Sequence, residues 1–188
     1  MATEKEKMLS GELYDCKDPE LVQMRFRARR LVRLYNSSTE EELDRRQQLL
    51  QEILGRMGKD VWIEPPFYFD YGSLLELGDN VYLNANCVIL DCNHVRIGAQ
   101  TMLGPSVQIY AAYHPLDAHQ RCLGPELARP VTIGAQVWIG GGAIICQGVT
   151  VGDRTTIGAG SVVTRDIPPD VFAAGNPCRV IRHLEKRG

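Results

Sequence analysis

The chain has 188 residues, enough for one domain with a real core and a short appended segment. Its 21 basic and 23 acidic side chains nearly cancel, which excludes a strong global field for nucleic acid and suits a soluble protein that handles small molecules. The opening MATEKEKMLSGEL is charged and has no apolar run, so no secretory signal is expected.

Residues 1–58 hold 22 of the 44 charged side chains, 11 of each sign, and their spacing predicts an N-terminal helical segment. Asp18-Pro19 is a helix start: a capping side chain, then a proline whose missing N–H costs nothing there. Leu21, Met24, Ala28, Leu31 and Tyr35 form one apolar stripe, with Arg25, Arg27, Arg29, Arg30 and Arg33 mostly off it. That arginine cluster reads as a solvated face or as an anion site. Thr39-Glu40-Glu41-Glu42 reads as a capping box, and Leu43, Leu50, Leu54 and Met57 as a second stripe, ended by Gly55 and Gly58.

Past Lys59 the helical period vanishes and a period of six replaces it. Leu77, Leu83, Ile89, then Ile97, Leu103, Ile109, then Ile133, Ile139, Ile145, Val151, Ile157 and Val163 mark it. Glycine often follows, and a small or β-branched residue stands four places on. A hexad is a short strand and a bend: the aliphatic points inward, the glycine allows the corner, and the small residue fills the interior. Three hexads close a triangular coil, and coils stack at about 4.8 Å. Residues 133–168 supply two coils, 77–94 and 97–114 one each, and 63–74 a partial first coil, with Val95-Arg96 as a two-residue excess at a corner. The fold class is therefore mainly β, a parallel β-helix over 59–188, with an insertion at 115–130 and a C-terminal tail at 169–188. The uncharged run 130–152 is not a membrane helix, because six glycines and two glutamines interrupt it.

The frame stops after Ile109 and resumes at Ile133. The loop between them opens with His114-Pro115 and holds Asp117, His119 and Arg121. Loops thrown from a rigid scaffold often carry function. His114 reads as a general base, as a metal ligand with His94 and His119, or as a structural corner residue. The six cysteines (Cys16, Cys87, Cys92, Cys122, Cys146, Cys178) show neither CxxC nor zinc-ribbon spacing and read as reduced thiols in a cytoplasmic protein.

GELYD with RARRLVRLYN, IEPPFYFDYGS, VYLNANCVILD, HPLD, PVTIGAQVWIGGGAIICQGVTVGD and IPPDVFAAGNPCRVIRHL resemble the maltose and galactoside O-acetyltransferases over nearly the whole chain. CVILDCNHVRIG looks closer to the maltose type. The resemblance implies a left-handed coil and acetyl transfer from acetyl-CoA to a sugar hydroxyl through a direct ternary complex. It implies His114 as the base and Gly141, in Gly140-Gly141-Gly142, beside the thioester. It implies Asp70, Tyr82, Asn84 and Asp91 around the acceptor, with Cys16 where galactoside enzymes have an acidic residue. Ala159, Thr164, Arg165, Arg179 and Arg182 match coenzyme contacts. The family is a homotrimer with sites between subunits, and no metal, nucleic acid or membrane partner is implied. Residues 165–188 add independent support for a phosphate ligand, with five basic against three acidic side chains. Two rivals share the fold: a γ-type carbonic anhydrase-like zinc enzyme using His94, His114 and His119, and a non-catalytic repeat scaffold.

Overall fold

The computed structural model describes residues 2–185. Three helices precede the coils: α1 (Glu4–Ser10), α2 (Pro19–Asn36) and α3 (Leu43–Ile53). Thr3 and Glu6 close a capping box on α1, a start signal the sequence reading missed. Asp18 caps α2 by accepting from Glu20 N–H, as expected. The helix α3 begins later than Thr39 suggests. Glu42 stands at its N-cap without a side-chain cap bond, and its carboxylate reaches back to Thr39 N–H at 2.8 Å. Leu43 is exposed, and the buried face is Arg46, Leu49, Leu50 and Ile53. Met57 belongs to no helix: Arg56–Met57 is already the first strand of the column.

The strands of the column form three sheets, each a flat side of a triangle, and two further strands pair in the insertion. The first face stacks Arg56–Met57, Leu75–Leu77, Val95–Ile97, Val131–Ile133 and Thr150–Val151, all parallel. The second stacks Trp62–Ile63, Tyr82–Leu83, Met102–Leu103, Trp138–Ile139, Thr156–Ile157 and Val171–Ala174. The third stacks Phe67–Phe69, Cys87–Leu90, Gln108–Tyr110, Ile144–Ile145 and Val162–Val163. The chain visits the faces in that order on every coil. The predicted tail is structured too: Val171–Ala174 extends the second face, and Arg179–His183 returns antiparallel on it. The last three residues of that tail lie outside the described residues.

All twelve rung aliphatics are at most 2% exposed, so the period-six reading of the interior holds. The reading of the glycine does not. Gly78, Gly98, Gly134 and Gly140 have no positive φ; a Cβ on Gly98 would lie 2.6 Å from the backbone of Ala135 in the next coil. Glycine is required there for close approach between coils. The left-handed bend falls two places later, at Asn80, Asn86, Gln100, Ser106, Gln136, Gly142, Gly148, Arg154 and Gly160.

The helices close the open end of the column. Ala28, Leu31, Tyr35, Leu50 and Ile53 join one core with Ile63 and Phe67. Tyr35 Oη donates to Ile63 O at 2.6 Å, and the Asn36 amide bonds both Phe67 N and Phe67 O. An isolated helix pair would expose this apolar face, and an open coil end would expose strand edges; each covers the other.

Candidate active site

The first two coils are two residues longer than the later ones. Leu77 pairs with Ile97 twenty places on, whereas Ile133 pairs with Val151 eighteen places on. Val95-Arg96 is not the excess: both residues pair in a strand. The extra residues fall at 70–74 and 91–94, and the insertion leaves from the same edge one coil later. Three consecutive elaborations therefore stack on the edge between the third and first faces.

Asp91 builds this edge. It is fully buried, and its Oδ1 accepts from Asp70 N–H at 3.0 Å and Tyr71 N–H at 2.9 Å, while Oδ2 lies 3.4 Å from Leu74 N. Burial pushes its carboxyl up to about 7. The expectation that Asp91 lines the acceptor pocket is corrected: its oxygens are enclosed and engaged with backbone. Tyr71 Oη accepts from Arg25 Nη1 at 2.9 Å, and Arg25 Nη2 donates to Cys16 O at 2.6 Å.

A cleft of about 250 Å³ opens here, lined by Cys16, Arg25, Arg29, Asp70, Cys92 and Glu126. Burial raises the Asp70 carboxyl above its ordinary range, opposed by the Cys92 thiol and the Arg25 guanidinium. Cys92 Sγ donates to Asp70 Oδ2 at 3.3 Å. Burial raises the thiols of Cys92 and Cys16 as well. Sequence reading placed Asp70 and Cys16 at acceptor positions and offered Arg25 and Arg29 as a possible anion site, but it missed Cys92 and Glu126. Arg25 and Arg29 share one face of α2, whereas Cys92 and Glu126 come from the 91–94 corner and the insertion, and no local pattern marks those two.

The insertion stays attached to the column. Ala112–Tyr113 pairs antiparallel with Leu127–Ala128, and Arg129 N–H donates to Ala111 O at 2.9 Å. Between them lies α4 (Ala118–Cys122), capped by Asp117. Arg121 ties the loop internally through the carbonyls of Pro115 and Leu116. The N-terminal segment clamps it: Tyr14 and Glu126 exchange both backbone bonds, at 3.1 and 3.0 Å, and Tyr14 Oη donates to Glu126 Oε2 at 2.9 Å. His114 leaves the column at this edge with its side chain exposed.

The other named residues lie elsewhere. Asn84, Gly141 and Ala159 sit on the edge between the second and third faces; Gly141 and Ala159 are in adjacent coils, and the coil of Gly104-Pro105 lies between Asn84 and Gly141. Tyr82 is half-buried on the second face beside that edge. Gly140 abuts Ala159 backbone, and Gly160 N–H donates to Gly141 O at 3.0 Å. The N–H groups of Gly141 and Ala159 donate to no acceptor among the described residues. Arg179 pairs in register with Ala174 toward the same edge, and Arg182 with Phe172 on the second face. Thr164 and Arg165 are exposed and follow the last strand of the third face, on the His114 edge. One face of the column thus separates His114, Asp70, Thr164 and Arg165 from Asn84, Gly141, Ala159 and Arg179.

The zinc alternative does not assemble. Among the described residues no three His, Cys, Asp or Glu side chains converge as a metal-ligating group. His94 Nδ1 instead lies 3.2 Å from Glu76 Oε1. No described helix is long and apolar enough to cross a membrane. All six cysteines are unpaired.

A stacked column of hexads with a helical cap, one histidine-bearing insertion and a free N–H pair at a glycine corner defines the hexapeptide-repeat acyltransferase class. Residues 7–58 match the maltose acetyltransferase hexapeptide capping motif, and residues 130–165 match the bacterial transferase hexapeptide of six repeats. The chain is 52% identical over 178 residues to nodulation protein L of Rhizobium meliloti, covering 95% of this chain and 97% of that one. It superposes on the crystal structure of a maltose O-acetyltransferase from Clostridium difficile with a TM-score of 0.97 and 49% identity, over 98% and 99% of the two chains. It is also similar to a galactoside acetyltransferase in complex with coenzyme A, with a TM-score of 0.96 and 40% identity, over 98% and 92% of the chains. The chain belongs to the maltose and galactoside O-acetyltransferase family, the acetyl-CoA-dependent O-acetyltransferases built on a left-handed parallel β-helix.

Proposed function

We propose that this protein transfers an acetyl group from acetyl-CoA to a hydroxyl of a sugar such as maltose, glucose or a galactoside. The acceptor enters the cleft beside Asp70, where carboxylate and guanidinium groups match paired hydroxyls. His114 takes the hydroxyl proton as the oxygen attacks the thioester carbonyl. Gly141 N–H donates to the oxyanion of the tetrahedral intermediate. The C–S bond breaks, and the imidazolium returns its proton to the coenzyme A thiolate. No covalent enzyme intermediate forms. Arg179 and Arg182 bind the nucleotide phosphates from one edge, and Thr164 and Arg165 do so from the other.

The observation that carries this reading is the division of the reacting groups between two edges of one face. A single copy holds the base on one edge and the free Gly141 N–H on the other, so the site is completed between copies. The outer surfaces support that assembly. Trp62, Tyr82, Met102 and Trp138 stack in register on the second face, and Trp62, Met102 and Trp138 are 41, 50 and 53% exposed. The third face presents Tyr68, Val88, Ile144 and Val162 in the same manner, with Gln108 as the one polar member of the row, whereas the first presents Arg56, Glu76, Arg96, Thr132 and Thr150. Two apolar sides and one polar side suit a closed homotrimer with heterologous contacts. We place the enzyme in the cytoplasm, where six unpaired thiols stay reduced.

The test is thiol release from acetyl-CoA with and without maltose, glucose, thiogalactoside or small amines. Release should depend on a sugar, and His114→Ala should lose about a hundredfold or more of turnover with folding unchanged. Near-normal turnover in that variant removes the base, and turnover on amines alone removes the sugar.

A further inference from the structure

Among the described residues Asp91 is the one carboxylate of the column that is wholly buried, and the reaction above does not use it. Its contacts lead outward to the cleft by two short routes. Oδ1 receives the N–H of Asp70, whose own carboxylate lines the cleft and accepts from Cys92 Sγ. The same oxygen receives the N–H of Tyr71, whose hydroxyl accepts from Arg25, a second lining residue. Tyr71 is 2% exposed and Cys92 5%, so neither can be repositioned by solvent. No other side chain bonds these N–H groups among the described residues. A corner with two extra residues has no ladder partner for them, and a buried acceptor is the group that selects one conformation of that corner.

We propose that Asp91 is a positioning residue for acceptor binding. Its carboxylate sets the 70–74 corner, and through it the placement of the Asp70 carboxylate and the Arg25 guanidinium, without touching the acceptor. This rests on the cleft beside Asp70 being the acceptor site. Asn keeps the shape of Asp and one carbonyl oxygen, so Asp91→Asn retains an acceptor for Asp70 and Tyr71 N–H but turns an amide N–H₂ toward Leu74 N–H. The corner loosens without a cavity.

Two readouts separate this role from the function on which it rests. The first needs no acceptor: alkylation of Cys92 by iodoacetamide, followed on its peptide by mass spectrometry. It should rise about tenfold in Asp91→Asn, because opening the corner exposes the thiol. The second uses maltose as the probe. KM for maltose should rise about tenfold while KM for acetyl-CoA stays within about twofold, since misplaced binding groups cost the ligand they hold. In an Asp70→Asn background Asp91→Asn should add less than it does alone, because part of the positioning acts through that side chain and the rest through Arg25. Unchanged Cys92 labelling overturns the proposal whatever the acceptor proves to be. Full multiplicative effects of the two substitutions overturn it in favour of direct contact. If Asp91→Asn does not fold, Tyr71→Phe interrupts the route to Arg25 with Asp91 intact. It should raise the maltose KM severalfold, and an unchanged KM there overturns the proposal as well.

Discussion

Replacing Gly98 by alanine tests the claim that hexad glycines exist for coil contact. The Cβ of Gly98→Ala would stand 2.6 Å from Ala135 N and Gly134 C and 2.7 Å from Gly134 O. That is about 0.8 Å inside the 3.4 Å at which ordinary contact begins. The obstacle is backbone, so no side chain can swing aside. The coils must part, which stretches the bonds from Gly98 N to Ile133 O at 2.9 Å and from Gln136 N to Ala99 O at 2.8 Å. Overpacking of about 2 kcal/mol and about 1 kcal/mol of weakened hydrogen bonding give about 3 kcal/mol. For a chain of this size that lowers Tm by about 6–12 °C. Gly142→Ala is the control. Gly142 has φ +68° and nothing within 4 Å of a Cβ, so only left-handed strain of about 1 kcal/mol, or about 2–4 °C, is expected. Calorimetry at one fixed protein concentration compares them. A Gly98→Ala protein melting within about 3 °C of the parent, or above Gly142→Ala, refutes the contact argument.

If Arg179 and Arg182 hold the nucleotide phosphates as proposed, Arg179→Ala and Arg182→Ala should each raise the KM for acetyl-CoA about tenfold, with the sugar KM nearly unchanged. Co-refolding Arg179→Ala with His114→Ala should restore part of the turnover that each lacks alone, as one mixed interface carries neither change; no gain means the site lies within one copy. Asp91 also predicts a pH effect on stability. Burial raises its folded pKa to about 7 from an ordinary 3.8. A raised pKa means its stabilisation is complete below about pH 4 and is lost as pH rises through 7. Unfolding free energies should therefore fall relative to Asp91→Asn between pH 4 and 7, by at most about 4 kcal/mol, and parallel pH profiles of the two proteins would contradict the buried charge.

The column was legible in the sequence because its period is local. A rung aliphatic every sixth residue needs only its own coil and the next, so Leu77 through Val163 announce the interior without any long-range pairing. The helix start at Asp18-Pro19 and the stripe from Leu21 to Tyr35 were legible for the same reason. The reason for the glycines was not, because Gly98 answers to Ala135, a neighbour thirty-seven places away that only stacking supplies. The two-residue excess was equally open. Periodicity shows that the frame slips between Ile89 and Ile97, but pairing across coils decides that Val95-Arg96 lie in a strand and that Asp91 turns inward.

Composition and spacing alone settled a stiff three-sided stack with a helical lid and one interruption bearing His114. Tertiary structure alone decided that the elaborations share one edge, that Arg25, Cys92 and Glu126 meet Asp70 in one cleft, and that Gly141 stands on the opposite edge from the imidazole. Short-range repetition is written into each hexad, whereas the meeting of side chains from separate elements depends on how many residues every intervening coil contains.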